Sequence, residues 1–270
     1  MKSLTDFLRN NGVRLNTDLG QHFLTDGTVL ERIIDAAKIE KSDHIVEIGP
    51  GVGVLTAELL RHAKKVTAIE FDEKLIPLLK RFIDANGPKP GTFDLEVVHA
   101  NALDVPMPGT PYKTVANIPY HITSPLLRHV FLESKLAPKS LTLLIQREVA
   151  DKICDSEHAG ILTIVVGLFG KAKKIMNVPP SAFIPPPAVD SAVIAIECFE
   201  TPLADRETVE EVLRLTKIAF SMKRKMLRRS FGTFQGGAEL LEAAFIDETR
   251  RPETLSVQEW IALAKASRAK

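Results

Sequence analysis

Glycines and a carboxylate stand where two predicted strands end. The segment Glu47-Ile-Gly-Pro-Gly-Val-Gly53 follows a strand and opens a helix, so its glycines allow a tight turn and a close approach to a ligand. A dinucleotide site would need a third glycine one position later, where Val54 stands, and the spacing favours S-adenosylmethionine, which has no pyrophosphate. Glu70 ends the next strand, where a carboxylate can accept hydrogen bonds from ribose hydroxyls. In the alternative, the glycines only close a turn and Glu70 only caps the helix from Asp72.

A second candidate site is the tetrapeptide Asn117-Ile-Pro-Tyr120, which ends another predicted strand. The amine of adenine is a poor nucleophile because its lone pair is delocalised into the ring. The side-chain oxygen of Asn117 and the main-chain carbonyl of Ile118 or Pro119 can each accept one amine hydrogen and so aim the lone pair at a methyl group. Tyr120 offers a ring on which a base can stack. Taken alone, the tetrapeptide could equally be a strand end followed by a proline turn.

Short runs rich in Val and Ile alternate with helical patterns, and this alternation predicts a doubly wound, mainly parallel sheet with helices on both faces. The predicted strands are His44–Ile48, Val66–Glu70, Glu96–Ala100, Lys113–Asn117, Leu141–Gln146 and Ser191–Phe199. Helices are predicted at Val54–Arg61 and Glu73–Ile83. The proline-rich segment 178–187 is predicted as an ordered extended loop, because proline removes backbone donors. From about residue 203 the pattern is helical to the end, which indicates a small α-helical domain.

Composition excludes several classes of protein. The 270 residues are 45% hydrophobic, enough for a buried α/β core and a small second domain. Lys and Arg total 35 against 34 Asp and Glu, so affinity for nucleic acid must come from local clusters of charge. Cys154 and Cys198 lack the spacing of a zinc site, and we expect no metal. The longest apolar stretch, Ile161–Phe169, is too short for a membrane span, so we expect a cytoplasmic protein.

The chain resembles the KsgA family of small-subunit ribosomal RNA adenine N6,N6-dimethyltransferases. Six motifs in order carry this resemblance: Leu19-Gly-Gln-His-Phe-Leu24, Val46-Glu-Ile-Gly-Pro-Gly51, Asn117-Ile-Pro-Tyr120, Leu144-Ile-Gln-Arg-Glu-Val149, Val178-Pro-Pro-Ser-Ala-Phe183 and Val189-Asp-Ser-Ala-Val193. It implies an α/β fold with a Rossmann-like methyltransferase domain at residues 1–202 and a small helical, RNA-contacting domain at 203–270. It also implies two methyl transfers to each of two adjacent adenosines and a late role in ribosome assembly. The expected partner is small-subunit rRNA or the pre-ribosomal small subunit, and the expected state is a monomer.

The resemblance also implies roles for single residues. The residues that would bind S-adenosylmethionine are His22, Leu24, Glu47, Gly49, Gly51, Glu70, Asn101 and Asn117. The catalytic set would be Asn117, Pro119, Tyr120 and Phe183, with Phe183 closing over the target adenine opposite Tyr120. Two positions depart from the family pattern. His22 replaces an Asn and is interpreted as a hydrogen-bonding substitute, and Asn101 replaces an Asp, which keeps a carbonyl acceptor but loses the charge.

A basic segment lies between Arg214 and Arg229, with seven basic residues and no acid. Its match to the family's basic segment favours phosphate contacts by Lys223, Arg224, Lys225, Arg228 and Arg229, with Phe220 and Met222 holding the segment to the catalytic domain. The alternative is a solvated helix face.

Two other functions remain open at this point. A large-subunit rRNA adenine methyltransferase of the erythromycin-resistance type shares the fold and tolerates Asn-Ile-Pro-Tyr, although the Pro-Pro-Ser-Ala-Phe segment and the basic segment favour the small-subunit enzyme. A ribosome-assembly factor that binds without catalysing is the second. DNA adenine and protein glutamine methyltransferases more typically carry Asn-Pro-Pro-Tyr.

Overall fold

The computed structural model describes residues 4–13, 20–155, 157–222 and 225–269. Two compact units make up the chain. The first comprises Met1–Ala150 and Lys173–Cys198, and the second comprises Asp151–Ala172 and Phe199–Lys270. In the part of the chain that the structure describes, no helix has the length and apolar character to cross a bilayer.

The described residues form nine strands: β1 Phe23–Leu24, β2 His44–Ile48, β3 Lys65–Glu70, β4 Asp94–His99, β5 Lys113–Asn117, β6 Ser140–Gln146, β7 Gly170–Val178, β8 Phe183–Ile184 and β9 Ser191–Cys198. Seven of them form one sheet in the order β4-β3-β2-β5-β6-β9-β7, and β1 pairs with β8 in a separate antiparallel ladder. Strands β2 to β6 are parallel to one another, and β9 is antiparallel to its neighbour β6. The predicted α/β class with a mainly parallel sheet is confirmed.

The same described ranges contain eleven α-helices: α1 Leu4–Asn10, α2 Gly27–Ala37, α3 Val54–His62, α4 Ile76–Asn86, α5 Thr123–Arg128, α6 Arg147–Cys154, α7 Ile161–Phe169, α8 Arg206–Ser221, α9 Leu227–Phe231, α10 Gly237–Ala243 and α11 Val257–Arg268. The beginning of α2 shows how local sequence starts such a helix. The side chain of Asp26 accepts hydrogen bonds from the backbone N–H groups of Thr28 and Val29, which have no partner inside the helix.

The strand order reverses beside β2. Strands β3 and β4 follow on one side of β2, whereas β5 and β6 follow on the other. At such a reversal the connections leave in opposite directions, so a crevice opens beyond the carboxyl ends of the strands. The glycine-rich segment after β2 and Asn117 at the end of β5 therefore lie at the same crevice.

The division into units differs from the boundary predicted between residues 202 and 203 in two segments, 151–172 and 199–202, which both belong to the second unit. Asp151–Ala172 belongs to the second unit, because α7 packs against α8 and α11. Helix α7 is apolar on most of its faces, with Ile164, Val165, Val166, Leu168 and Phe169 buried. An all-apolar helix needs surrounding partners, and here the later helices provide them.

Three strands were not predicted. Strand β7 is an edge strand with exposed lysines and no regular apolar alternation, while β1 and β8 have two residues each. The proline-rich segment 178–187 contains one 3-10 turn at Pro180–Ala182, followed by the short strand β8.

Candidate active site

A cavity of about 400 Å³ opens at the carboxyl ends of β2, β3 and β5 in the first unit. This is within the volume range of pockets that hold small molecules, roughly 300–1,000 Å³. Ten of the predicted site residues line it: His22, Leu24, Glu47, Gly49, Gly51, Glu70, Asn101, Asn117, Pro119 and Tyr120. The fold therefore brings together residues from separate segments of the sequence.

The glycine-rich turn after β2 forms one wall. Gly49 and Gly51 have φ of 68° and 59°, the left-handed region that other residues adopt at a cost. A Cβ atom on Gly51 would lie 2.5 Å from Cε1 of Phe23, which is closer than atoms can pack. Glycine is thus required at Gly51 both by its backbone conformation and by the close approach of Phe23.

Glu70 lies at the end of β3 and is buried. Its Oε2 accepts a hydrogen bond of 2.9 Å from the N–H of Gly51, and its Oε1 accepts one of 2.8 Å from the N–H of Asp72. Burial raises the pKa of the Glu70 carboxyl, and these hydrogen bonds partly oppose that rise. The carboxylate is held between two turns of the cavity wall, and each oxygen keeps a lone pair for a ligand hydroxyl.

Glu47, at the position before the end of β2, is only 1% exposed. Its Oε2 has no hydrogen-bond partner in the described part of the chain. Burial, with the nearby charge of Glu70, raises the pKa of Glu47 to about 8. The residue is therefore protonated near neutral pH and presents an unsatisfied polar atom in the cavity wall, which a ligand can satisfy.

Asn117 ends β5, and its side chain is oriented by a distant part of the chain. Its Nδ2 donates a hydrogen bond of 3.0 Å to the main-chain carbonyl of His22. Among the described residues Oδ1 receives no hydrogen bond, so an acceptor is left for a ligand amine in the cavity. Pro119 and the backbone of Ile118 follow directly and also line the cavity.

The ring of Tyr120 is positioned from two sides. Its hydroxyl shares a hydrogen bond of 2.6 Å with Oγ of Ser191, which is fully buried at the start of β9. Its ring lies nearly parallel to that of His22, at 17° with 6.1 Å between the centroids. Burial raises the pKa of Tyr120. Sequence reasoning assigned no role to Ser191, although it lies in the quoted segment Val189–Val193.

His22 and Asn101, the two residues that depart from the family pattern, both line the cavity. His22 donates from Nδ1 to the carbonyl oxygen of Pro185 at 2.7 Å, and its interpretation as a substitute for the family's Asn stays a prediction. Asn101 uses both ends of its amide locally: Nδ2 donates to Asp104, and Oδ1 accepts from the N–H of Leu103 at 3.1 Å. Its oxygen retains one lone pair toward a ligand.

Phe183 is a correction to the predicted catalytic set. It does not line the cavity, is only 2% exposed, and packs in the apolar core while pairing with Leu24 between β8 and β1. A ring enclosed in this way has no face free for a base, so in this structure Phe183 supports the wall behind Leu24. An aromatic residue that sequence reasoning left without a role, Phe71, is 63% exposed at the cavity edge beside Glu70.

The basic segment belongs to the second unit. Lys223 and Arg224 lie outside the described residues, as does Leu19 of the first motif. Lys225, Arg228 and Arg229 are exposed, and the ion pairs formed between described residues do not involve them. Arg214, in contrast, forms an ion pair with Glu211 at 2.6 Å.

Phe220, predicted to hold the basic segment to the catalytic domain, has an aromatic partner within its own unit, and a contact with the catalytic domain stays a prediction. Its ring stacks on Trp260 of its own unit, with 6.3 Å between the centroids, because α8 and α11 pack together there. Met222 is 37% exposed. Separately, the described residues contain no group of three or more His, Cys, Asp or Glu able to hold a metal ion.

Known proteins are similar to this chain over nearly its whole length. The family model described as ribosomal RNA adenine dimethylase matches residues 12–268. A ribosomal RNA small subunit methyltransferase A from Alkaliphilus oremlandii is 36% identical over 280 residues, covering 97% of this chain and 95% of the relative. The protein of the same name from Clostridium acetobutylicum is 39% identical over 259 residues, covering 92% of this chain and 91% of the relative.

Two solved structures are similar over most of the chain. A dimethyladenosine transferase from Plasmodium falciparum has a TM-score of 0.77 and 30% identity, covering 90% of this chain and 96% of that one. The 23S rRNA methyltransferase ErmE has a TM-score of 0.72 and 26% identity, covering 90% of this chain and 98% of that one. The identity to proteins named for the small subunit is higher than the identity to ErmE.

Proposed function

The chain belongs to the ribosomal RNA adenine dimethylase family, and from this premise we propose that it transfers methyl groups from S-adenosyl-L-methionine to the N6 amines of two adjacent adenosines in small-subunit rRNA. The observation that carries the proposal is the side chain of Asn117. Its amide nitrogen is held by the His22 carbonyl, and its oxygen, which accepts no hydrogen bond from the described residues, lies in the wall of the cavity.

The residues of the cavity fit the cofactor. The turn at Gly49 and Gly51 brings backbone close to a ligand, and Glu70 offers carboxylate oxygens suited to ribose hydroxyls. Glu47 contributes an unsatisfied buried oxygen. When bound, S-adenosyl-L-methionine supplies a methyl group activated by a sulfonium centre.

The chain's own residues prepare the amine. Oδ1 of Asn117 accepts one amine hydrogen, and a carbonyl of the Ile118-Pro119 backbone accepts the other, which directs the nitrogen lone pair away from the ring plane. Tyr120 supports the base by stacking, with its ring held by Ser191. An adenosine reaches this position by leaving its stack, at a cost of a few kcal/mol.

We further propose that the RNA is recognised within the small ribosomal subunit or its precursor, and that the exposed cations Lys225, Arg228 and Arg229 contact its phosphates. Lys223 and Arg224, which lie outside the described residues, belong to the same basic segment of the sequence. The names of the relatives support this assignment, as does the clustering of cations that form no ion pair with the described residues.

The decisive experiment incubates the protein and S-adenosyl-L-methionine, radiolabelled in its methyl group, with small and large ribosomal subunits from cells that lack the endogenous enzyme. Mass spectrometry then locates the modified nucleotides. We expect dimethyladenosine at two adjacent positions of small-subunit rRNA. Methylation confined to large-subunit rRNA would favour an ErmE-like activity, and binding of cofactor and subunit without methyl transfer would favour an assembly factor.

A further inference from the structure

Phe245 of the second unit combines exposure with an unfavourable backbone conformation. Its side chain is 97% exposed, and its φ is 56°. It follows α10, where the N–H of Phe245 donates to the Glu242 carbonyl and the N–H of Ile246 donates to the Leu241 carbonyl, both at 2.9 Å. This pair of hydrogen bonds closes a helix through a left-handed residue, and that residue is usually glycine.

Folding gains little from a phenylalanine at this position. A non-glycine residue with positive φ is strained, and an exposed ring keeps its apolar surface in water. The apolar contact that accompanies such a helix end is provided by the next residue, Ile246, which is buried. A strained, fully exposed aromatic ring therefore points to a ligand outside the unit.

The surroundings of Phe245 indicate what that ligand is. The N–H of Arg228 donates to the carbonyl of Glu248 at 2.9 Å, which joins the start of α9 to the loop after Phe245. Three residues of chain span at most about 11 Å, so Phe245 and this junction are close neighbours. The exposed cations Lys225, Arg228 and Arg229 are on the α9 side of the junction.

Acidic groups also face this region and limit where an anion can bind. Asp247 is engaged, because its carboxylate accepts from the N–H and the hydroxyl of Thr249 at 2.8 and 2.7 Å. Glu239 and Glu242 on α10 and Glu248 in the loop are exposed. Phosphates are thus favoured along α9 and disfavoured along α10.

We propose that Phe245 stacks on an unpaired base of the substrate rRNA while Arg228 and Arg229 contact the neighbouring phosphates. An aromatic platform beside exposed cations is the arrangement by which proteins hold single-stranded nucleic acid. This inference rests on the proposed function. It places a second base contact in the second unit, separate from the cavity proposed to receive the target adenine.

The test is Phe245→Gly, which separates binding from folding. Glycine adopts the left-handed conformation readily, so the variant folds and its thermal midpoint stays the same or rises. Its affinity for small-subunit rRNA falls by about five- to 160-fold, the effect of removing one base stack. The salt dependence of binding keeps its slope, because the substitution leaves every phosphate-binding cation in place.

Phe245→Trp retains the platform and adds a signal. Its affinity equals that of the wild type, and its exposed indole is quenched when RNA binds, whereas Trp260 is fully buried and contributes a constant background. Leu203→Ala is the matched control, since Leu203 is also an exposed apolar residue of the second unit and its removal leaves RNA affinity unchanged.

Other outcomes overturn the inference. Wild-type RNA affinity in Phe245→Gly shows that the ring does not stack on RNA but leaves the proposed function standing. A variant that loses self-association, measured by sedimentation, while keeping RNA affinity identifies a second copy of the chain as the occupant. Failure of the wild type to bind or methylate small-subunit rRNA overturns the proposed function and this inference together.

Discussion

The side-chain nitrogen of Asn117 donates to the main-chain carbonyl of His22, 95 residues earlier in the chain. This hydrogen bond decides which end of the Asn117 amide faces the cavity. Because the acceptor is a backbone atom, the orientation of Asn117 does not depend on the type of side chain at position 22.

The first prediction follows from this relationship. Asn117→Ala removes the oxygen that accepts an amine hydrogen, and we expect kcat to fall by on the order of 10²–10³, as for other oriented groups that act on the transition state. Affinities for RNA and cofactor persist. Asn10→Ala is the matched control, since it removes an exposed asparagine side chain from the same unit and should retain turnover. Single-turnover methylation measures both variants, and full methylation by Asn117→Ala would exclude the mechanism.

The second prediction concerns Ser191 as a positioning residue for Tyr120. Ser191→Ala leaves the Tyr120 hydroxyl without its partner, so the ring is less well oriented, and we expect kcat to fall while KM for RNA changes little. In Tyr120→Phe the hydroxyl is already absent, and adding Ser191→Ala to it should have a smaller effect than Ser191→Ala alone. Additive effects of the two changes would show that the hydrogen bond is not used in orientation.

A third prediction tests the cofactor contact of Glu70. Glu70→Ala should weaken S-adenosyl-L-methionine binding by about 1.5–3 kcal/mol, the value of a hydrogen-bonded charged group. The change also leaves the N–H groups of Gly51 and Asp72 without acceptors, so the thermal midpoint of the unliganded protein should fall. Titration calorimetry is therefore performed well below that midpoint. A folded Glu70→Ala variant that binds S-adenosyl-L-methionine with wild-type affinity would show that Glu70 does not contact the cofactor.

The fourth prediction is a pH dependence of stability caused by Glu47. Its pKa is about 8 in the folded protein against an ordinary value of 4.5, so between these values the folded state binds a proton that the unfolded state has released. The free energy of unfolding should therefore decrease as pH rises from about 4.5 to about 8. Glu47→Gln imitates the protonated group and should flatten this dependence.

Urea denaturation of the unliganded protein at several pH values measures the effect. Glu31→Gln removes an exposed carboxylate from α2 of the same unit and controls for the change in net charge. Identical pH profiles for Glu47→Gln and the wild type would contradict the protonated state of Glu47.

The fifth prediction concerns the basic segment. Arg228→Gln with Arg229→Gln should weaken RNA binding and reduce the slope of log affinity against log salt by roughly 0.7 to 0.9 for each phosphate that the protein no longer neutralises. Cofactor affinity should not change. Arg206→Gln with Lys265→Gln removes the same charge from exposed positions of the same unit and should leave the slope nearly unaltered. Equal slopes for both double variants would identify the segment as a solvated helix face.

Much of the site was predictable because it lies at strand ends. Strands β2 and β5 begin and end at the predicted residues, and β3 and β6 differ from prediction by one residue at the start. Short apolar runs reveal such strands, and the carboxyl ends of parallel strands meet at one edge of a sheet. The glycine-rich turn, Glu70 and Asn117 could therefore be assigned to one cavity without knowledge of any contact between them.

The sequence by itself thus determined the fold class, the positions of the central strands and the cavity residues at their ends, Gly49, Gly51, Glu70 and Asn117, since these depend on local periodicity and on the rule for parallel sheets. His22, Leu24 and Asn101 were expected at the cavity only from the resemblance to the family. The tertiary structure decided the rest: the orientation of Asn117 by His22, the support of Tyr120 by Ser191, the burial of Phe183 and the association of residues 151–172 with the later helices. Each of these is a contact between residues far apart in the chain. Such contacts arise only when whole elements pack, and no local pattern of residue types records them.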